Sequence, residues 1–134
     1  MKKVNFSEIK MGYKVSFSRV ITLDDIKQFV SLTGDNNPIH INKEYGKNSK
    51  FNSNIVHGML LASFFSKIVG IYFGDFYYLA QTLEFRHPAF IGDNILIEGI
   101  VESKSESTKI IQLKTIIRIQ NKILINGQAK IQLL

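Results

Sequence analysis

The segment TGDNNPIH, residues 33–40, places an aspartate and a histidine five residues apart across a proline-containing turn. A carboxylate and an imidazole that face one another can hold a water molecule and move its protons, which is general acid–base chemistry. The candidate pair is Asp35 and His40. The same segment also has a purely structural interpretation, because Gly, Asp, Asn and Pro are the ordinary residues of a tight turn. The spacing alone leaves both interpretations open.

A second candidate group is Gly58, which follows a histidine in the segment IVHGMLLAS and opens a strongly apolar stretch. The N–H groups in the first turn of a helix have no partner within the helix, and the helix dipole adds to their preference for negative charge. Without a Cβ, Gly58 would allow a reacting group to approach its N–H closely. Asp35, His40 and Gly58 together would supply an acid–base pair and an oxyanion site, which suits chemistry through an enolate.

The elements before these groups can be read from local signals. Lys14 to Val20 alternates as a strand does. A helix is predicted to begin after the N-cap Thr22, with Asp25 at the capping-box position, and to end at Gly34. Residues 36–56 show no sustained periodicity beyond a short helix around Lys43 to Tyr45, and connections of this length tend to be functional or disordered. The predicted buried face of the first helix consists of Leu23, Ile26, Phe29 and Val30.

The rest of the chain predicts the architecture. A second helix is expected from about Gly58 to Phe73, and because it is apolar all the way round it should be enclosed on nearly every side. From Tyr77 onward apolar residues alternate with polar ones, which indicates antiparallel strands with one wet face. The sequence therefore predicts an α+β fold: a single domain, residues 1–134, whose antiparallel sheet of about five strands wraps around one long hydrophobic helix.

Composition narrows the class of protein. Hydrophobic residues make up 45% and charged residues 21% of the chain, a balance typical of globular proteins. The absence of cysteine excludes disulfides and thiolate chemistry. The net charge of +6 comes mostly from scattered lysines rather than from a basic stripe, which argues against nucleic acid and favours an anionic small molecule or an acidic carrier protein.

Two segments bear on location. The apolar run from Met59 to Phe73 is interrupted by polar residues and is shorter than the roughly 20 residues that a bilayer requires, so no membrane association is predicted. The N-terminal sequence MKKVNFSEIKMGYKV lacks the apolar region of a signal peptide. We therefore expect a cytoplasmic protein.

The segments FVSLTGDNNPIH, IVHGMLLASFFSKIVG and LEFRHPAFIGD resemble those of a known family, the MaoC-like, (R)-specific enoyl-CoA hydratases, also called hydratase 2. The resemblance covers nearly the whole chain and implies the hot-dog fold of that family. By position it implies that Asp35 and His40 are the catalytic pair and that Gly58 is the backbone oxyanion donor. It further implies that Asn37 and Pro38 shape the turn between the pair, with Asn37 as a candidate for substrate contact, and that Ser63 supports the pair.

The resemblance also carries expectations about partners. It implies an acyl-CoA or acyl-carrier-protein thioester as substrate, no metal and no other cofactor. It implies a homodimer whose sheets join edge to edge, with the thioester bound near the subunit interface. The expected reaction is the reversible addition of water to a trans-2-enoyl thioester, which gives an (R)-3-hydroxyacyl thioester.

Several alternatives remain open at this point. Asn37 could only stabilise the turn, and Ser63 could be a helix serine bonded to a backbone carbonyl. We assign His57 a structural role, and we treat His87 as a satisfied or exposed residue, because no recognised metal spacing links the three histidines. The competing functions are an acyl-thioester hydrolase, a 3-hydroxyacyl-carrier-protein dehydratase subunit and a non-catalytic acyl-binding protein.

Overall fold

A computed structural model describes residues 4–134, so the first three residues of the predicted domain lie outside the described part of the chain. The helices are α1 (Leu23–Thr33), α2 (Pro38–Ile41), α3 (Lys43–Lys47), α4 (Gly58–Ser63) and α5 (Phe65–Lys67), with a 3-10 helix at Phe6–Glu8 and a π-helical segment at Ile68–Phe73. The strands are β1 (Lys14–Val20), β2 (Phe76–Gln81), β3 (Glu84–Phe85), β4 (Asn94–Lys104), β5 (Ile110–Ile119) and β6 (Lys122–Leu133).

The strands form one antiparallel sheet in the order β1-β4-β5-β6-β2, and β3 also pairs with β6. The predicted α+β architecture is confirmed, with six strands rather than about five. The extra strand arises because the alternation from Tyr77 to Phe85 does not form one strand. The register of β2 against β6 shifts between Tyr78 and Ala80. Beyond this shift the carbonyl of Thr82 turns towards Gly127, where a Cβ would lie only 2.0 Å from its oxygen. The sheet therefore bends here, and β3 pairs separately.

The second predicted helix is present as a continuous helical run, residues 58–73, which comprises α4, α5 and the π-helical segment and is called the central helix below. Its inner side belongs to one core cluster with the inward-facing residues of β4 and β5. The expectation that the helix is enclosed on nearly every side is wrong for the single chain. Met59, Ser63 and Ser66, which recur at the spacing of one helix face, are exposed. The buried helix residues are Leu60, Leu61, Ala62, Phe65, Ile68, Val69 and Phe73.

The first helix follows its predicted signals closely. Thr22 and Asp25 form the expected capping box, and Gly34 ends α1 with a φ of 79°. Of the predicted buried face, Ile26 is buried, Phe29 and Val30 are partly buried against the core, and Leu23 is 53% exposed. Within residues 4–134, every helix is too short or too polar to cross a lipid bilayer.

The outer side of the sheet carries a buried ion-pair cluster. Glu98 on β4 is 2% exposed and forms ion pairs with Arg118 on β5 and Lys14 on β1. Burial alone would raise the pKa of Glu98, but the hydrogen bonds and charges of Arg118 and Lys14 outweigh burial and lower it. A carboxylate whose pKa is lower in the folded state contributes stability that is complete above its unfolded pKa, and this stability is lost as the pH falls through the folded value.

We therefore expect Glu98→Gln to lower the free energy of unfolding at pH 7 by about 1.5–3 kcal/mol, the range for hydrogen bonds to charged groups. The variant should also lose less stability than the wild type when the pH is lowered from about 7 to about 3. Thermal unfolding of the wild type and the variant at both pH values measures these two differences in stability. Glu44→Gln, at an exposed position, is the control. Equal acid sensitivity of Glu98→Gln and the wild type would show that the cluster does not govern acid stability.

Candidate active site

The turn between α1 and α2 is built from local hydrogen bonds. The backbone N–H of Asp35 donates to Thr33 Oγ1 (3.1 Å), and the Asp35 carboxylate accepts the N–H of Asn37 (3.2 Å). Asn37 is the N-cap of α2, and its side-chain oxygen accepts the N–H of Ile39 (3.0 Å). Pro38 occupies the first turn of α2, where its missing N–H costs nothing. These contacts place Asp35 just before α2 and His40 within it.

The fold brings the predicted pair together and adds a third residue. One carboxylate oxygen of Asp35, one ring nitrogen of His40 and one ring nitrogen of His57 lie within 4.8 Å of one another. Asp35 is exposed, His40 is partly buried and His57 is buried. A carboxylate and an imidazole at this separation, one of them facing solvent, can share a water molecule between them.

The hydrogen bonds of His40 determine which of its nitrogens can act as a base. Nδ1 lies 2.8 Å from the carbonyl oxygen of Ile55. A carbonyl oxygen only accepts, so Nδ1 carries the proton and the lone pair of the neutral ring is on Nε2. The segment that supplies this carbonyl is itself held in place, because Ile55 N–H donates to Ile39 C=O (3.3 Å) and Asn54 Nδ2 donates to the same oxygen (2.9 Å).

His57 supports both members of the pair. Its Nε2 donates to the backbone carbonyl of Asp35 (3.0 Å), and its ring stacks on that of His40 with centroids 3.8 Å apart. Phe29 on α1 covers another side of the ring at 4.8 Å. These contacts agree with the structural role assigned to His57. The sequence did not predict that its ring would contact both Asp35 and His40. The only available signal was its position beside Gly58.

The cluster is also where the described residues could hold a divalent metal ion, and its geometry fits one poorly. The ring planes of His40 and His57 are stacked, with centroids 3.8 Å apart and 26° between the planes, and an imidazole lone pair lies in the plane of its ring. A tetrahedral site needs lone pairs that converge on one point. His87 lies outside this cluster. The expectation that the protein uses no metal remains a prediction.

Gly58 is the first residue of α4, so no carbonyl of the helix accepts its N–H. Its preceding residue, His57, provides no side-chain cap that could take that N–H. The Cα of Gly58 packs against the ring of Phe85, and a Cβ here would lie 2.7 Å from the nearest ring carbon. The sequence did not predict this contact, because Phe85 comes from the irregular β2–β3 segment.

The two remaining predicted residues have visible structural roles. The cap formed by Asn37 supports its interpretation as a turn residue, and a contact between Asn37 and substrate stays a prediction. Ser63 Oγ donates to the carbonyl of Leu60 (2.5 Å), as expected for a helix serine bonded to a backbone carbonyl. Ser63 also lines a cavity, so its supporting role towards the pair stays a prediction as well.

That cavity has a volume of about 750 Å³ and lies along the exposed side of the central helix. None of the described residues that line it is charged, and we call it the uncharged cavity. The Tyr78 side chain in its wall is 37% exposed, but desolvation of its hydroxyl raises the pKa of Tyr78 to about 12, so this hydroxyl stays neutral. The cavity is large enough for a flexible apolar chain. Its wall includes Phe29, Met59, Ser63, Tyr78, Leu79 and Leu83.

Comparisons with known proteins show which family the chain resembles. A family profile described as "MaoC like domain" matches residues 4–122. The (R)-specific enoyl-CoA hydratase of Rhodospirillum rubrum is 32% identical over 128 residues, which is 94% of this chain and 89% of that protein. A mitochondrial 3-hydroxyacyl-[acyl-carrier-protein] dehydratase of Arabidopsis thaliana is 33% identical over 109 residues, 80% of this chain and 66% of that one.

Among solved structures, the (R)-hydratase from A. caviae involved in PHA biosynthesis superimposes with a TM-score of 0.90 at 32% identity. The match covers 95% of this chain and 98% of that one. The expected hot-dog fold is therefore confirmed. Because the profile spans most of the chain and the relatives exceed 30% identity over most of its length, the chain belongs to the MaoC-like domain family.

Proposed function

We propose that this protein catalyses the reversible, stereospecific hydration of trans-2-enoyl thioesters to (R)-3-hydroxyacyl thioesters, which makes it a hydro-lyase. The observation that carries the proposal is the cluster of Asp35 and His40 beside the free N–H of Gly58 at the start of the central helix. The names and similarity of the Rhodospirillum and Aeromonas relatives support the same reaction class.

In the mechanism, Asp35 and His40 hold one water molecule between the carboxylate and Nε2 of the imidazole. The water oxygen bonds to C3 of the enoyl group as one of its O–H bonds breaks, and the proton enters the Asp35/His40 pair. The pair delivers a proton to C2, so one water is added in total. Negative charge develops on the thioester oxygen in between, and the N–H of Gly58 receives it. The reverse reaction uses the same groups.

The acyl chain has a suitable place in the uncharged cavity, whose wall includes Met59, the residue next to Gly58. Apolar lining stabilises an alkyl chain by removing it from water. No step above requires a metal or a prosthetic group, because proton transfer and stabilisation of the oxyanion suffice. We also propose that residues 1–134 form one domain, and the cytoplasmic location stays a prediction.

The buried ring of His57 should position the pair rather than react. His57→Phe keeps a flat ring against His40 but removes the donor to the Asp35 carbonyl, so we expect kcat to fall about tenfold or more with little change in KM. His57→Gln can restore that donor without the ring and should recover part of kcat. Steady-state kinetics together with melting temperatures measure this. A fully active His57→Phe would show that other contacts hold Asp35.

We further propose a homodimer. Strand β2 lies at one edge of the sheet, and three large side chains on it are exposed: Tyr77, Tyr78 and Leu79. An uncovered edge with apolar side chains is a pairing surface. Sedimentation velocity should therefore give a dimer, and Tyr77→Lys, at a position outside the uncharged cavity, should shift it towards monomer with reduced activity. An active monomer at nanomolar concentration would contradict a site that is completed at the interface.

One assay separates the proposed reaction from its rivals. The protein is mixed with crotonyl-CoA while the loss of enoyl absorbance and the release of free thiol are followed together. Hydration consumes the enoyl group without thiol, whereas a hydrolase releases thiol, and a non-catalytic acyl-binding protein does neither. The carrier-protein dehydratase is the second candidate because of the net charge of +6 and the Arabidopsis relative. A preference for crotonyl-carrier protein over crotonyl-CoA would favour it.

A further inference from the structure

Asn54 lies in the connection between α3 and the central helix, and its side-chain amide reaches back to α2. Its Nδ2 lies 2.9 Å from the carbonyl oxygen of Ile39, 2.8 Å from that of Asn42 and 3.5 Å from that of Pro38. Carbonyl oxygens only accept hydrogen bonds, so the amino group of the amide, and not its oxygen, faces them. The two N–H groups of this amino group therefore serve the two closer carbonyls, those of Ile39 and Asn42.

Helix α2 needs this support because it has only four residues. The last carbonyls of a helix have no partner within it, and a helix of one turn is not stable on its own. Asn54 supplies a partner for the carbonyl of Ile39. The backbone N–H of Ile55 donates to the same oxygen (3.3 Å), so residues 54 and 55 both bond to α2.

Gly46 on α3 packs against the same amide. Gly46 is buried, and a Cβ at this position would lie 2.5 Å from the backbone nitrogen of Asn54 and 2.6 Å from its Nδ2. The N–H of Gly46 donates to the carbonyl of Asn42 (3.0 Å), which also accepts from Asn54. Asn54 thus joins the end of α2, the start of α3 and the segment before the central helix.

The contact that matters for chemistry is the one between Ile55 and His40. The carbonyl of Ile55 holds Nδ1 of His40 at 2.8 Å. The next residue, Val56, is fixed separately, since its N–H donates to the carbonyl of Ala89 (2.8 Å). The position of the Ile55 carbonyl relative to α2 therefore depends on the hydrogen bonds of Asn54.

We propose that Asn54 is a positioning residue that sets the tautomer of His40. Its amide keeps α2 where the carbonyl of Ile55 meets Nδ1, which places the ring proton on Nδ1 and leaves the lone pair of Nε2 free for the water. The catalytic consequence rests on the proposed hydratase function, whereas the tautomer itself does not.

The kinetic test uses three variants. Asn54→Leu keeps the approximate size without the donor, Asn54→Asp keeps the shape but turns an oxygen towards the carbonyls, and Gly46→Ala displaces the amide. Asn54→Leu should lower kcat for crotonyl-CoA about tenfold, the factor for one or two neutral hydrogen bonds. The other two should show at least a similar fall. KM should stay almost unchanged, because Asn54 does not line the uncharged cavity.

The controls are Asn48→Leu and Asn48→Asp, at an exposed position in the same connection. They match the changes in size and charge and should keep the kcat of the wild type. Thermal melts of all variants record whether the fold persists.

A spectroscopic measurement reads the tautomer directly. Long-range proton–nitrogen correlation spectra distinguish a protonated ring nitrogen from an unprotonated one, and at about pH 9 an imidazole is neutral. The chain has three histidines, so the spectrum of His40→Gln identifies the signals of His40. We expect the wild-type ring to carry its proton on Nδ1, and the Asn54 variants and Gly46→Ala to show a larger share of the Nε2-protonated form.

The outcomes separate this inference from the function on which it rests. If the wild type does not hydrate crotonyl-CoA, the proposed function fails, and the spectra still decide the role of Asn54. A wild-type ring protonated on Nε2, or an unchanged tautomer in the variants, would overturn the inference whatever happens to kcat. A lower melting temperature with normal kcat and tautomer would also overturn it. Loss of the fold in all three variants would assign Asn54 to general stability and refute a local positioning role.

Discussion

Asp35→Asn and His40→Gln should each reduce kcat for crotonyl-CoA by about 10²- to 10⁴-fold, the range for a lost general acid or base. Asp35 is exposed, and neither Asp35 nor His40 belongs to the hydrophobic core cluster. Asparagine can still accept the N–H of Asn37, and so the turn should persist. Melting temperatures should therefore stay close to that of the wild type while activity is lost.

A matched variant separates proton transfer from anchoring at His40. His40→Asn places an amide where Nδ1 now meets the carbonyl of Ile55, but it supplies no base at the position of Nε2. It should be folded and as inactive as His40→Gln. The Asp35→Asn/His40→Gln double variant should lose little more than the worse single variant, because groups that share one water act as a unit. Multiplicative losses would argue against a shared water, and near-normal kcat in any single variant would remove that residue from the mechanism.

Gly58→Ala should lower kcat/KM by about 10²- to 10³-fold, the effect of losing one oxyanion donor. The thioester oxygen must reach the N–H of Gly58, and a methyl group at this position obstructs that approach. The sequence alone predicts almost no loss of stability, because alanine is the better helix residue. The structure modifies this expectation, since the new Cβ would meet the Phe85 ring at 2.7 Å. Phe85 is 51% exposed and can move, so we expect only a small fall in melting temperature.

The contact with Phe85 supplies the control. Phe85→Ala removes the ring and should keep most of kcat, and Gly58→Ala/Phe85→Ala has room for the new methyl group. If the methyl group blocks the thioester, the double variant stays as inactive as Gly58→Ala. Recovery of kcat in the double variant would instead show that Gly58 exists to accommodate Phe85, and the oxyanion assignment would be wrong.

The parts of the site that the sequence predicted are those built from local interactions. The capping box of Thr22 and Asp25, the end of α1 at Gly34 and the turn through Asn37 depend on residues within one or two turns of each other, although the helix α2 that follows Asn37 was not predicted. Such contacts leave a pattern in the sequence, because each position demands a particular residue type. The positions of Asp35 and His40 follow from them.

The parts that the sequence missed depend on contacts between distant segments. His57 reaches Asp35 across 22 residues, and Phe85 meets Gly58 through the bend between β2 and β3. Neither contact alters local periodicity. The exposed face of the central helix was missed for a related reason: an apolar residue such as Met59 fits a core, an apolar cavity or a subunit interface equally well.

The configuration of the product is the most direct test of the proposed function. Purified protein is incubated with crotonyl-CoA, and the 3-hydroxybutyryl-CoA formed is oxidised separately by dehydrogenases specific for the (R) and the (S) alcohol, with Asp35→Asn as the blank. We predict loss of the enoyl absorbance in the wild type alone, with oxidation of the product only by the (R)-specific enzyme. An unchanged enoyl absorbance, an (S) product or equal activity in Asp35→Asn would contradict the assignment.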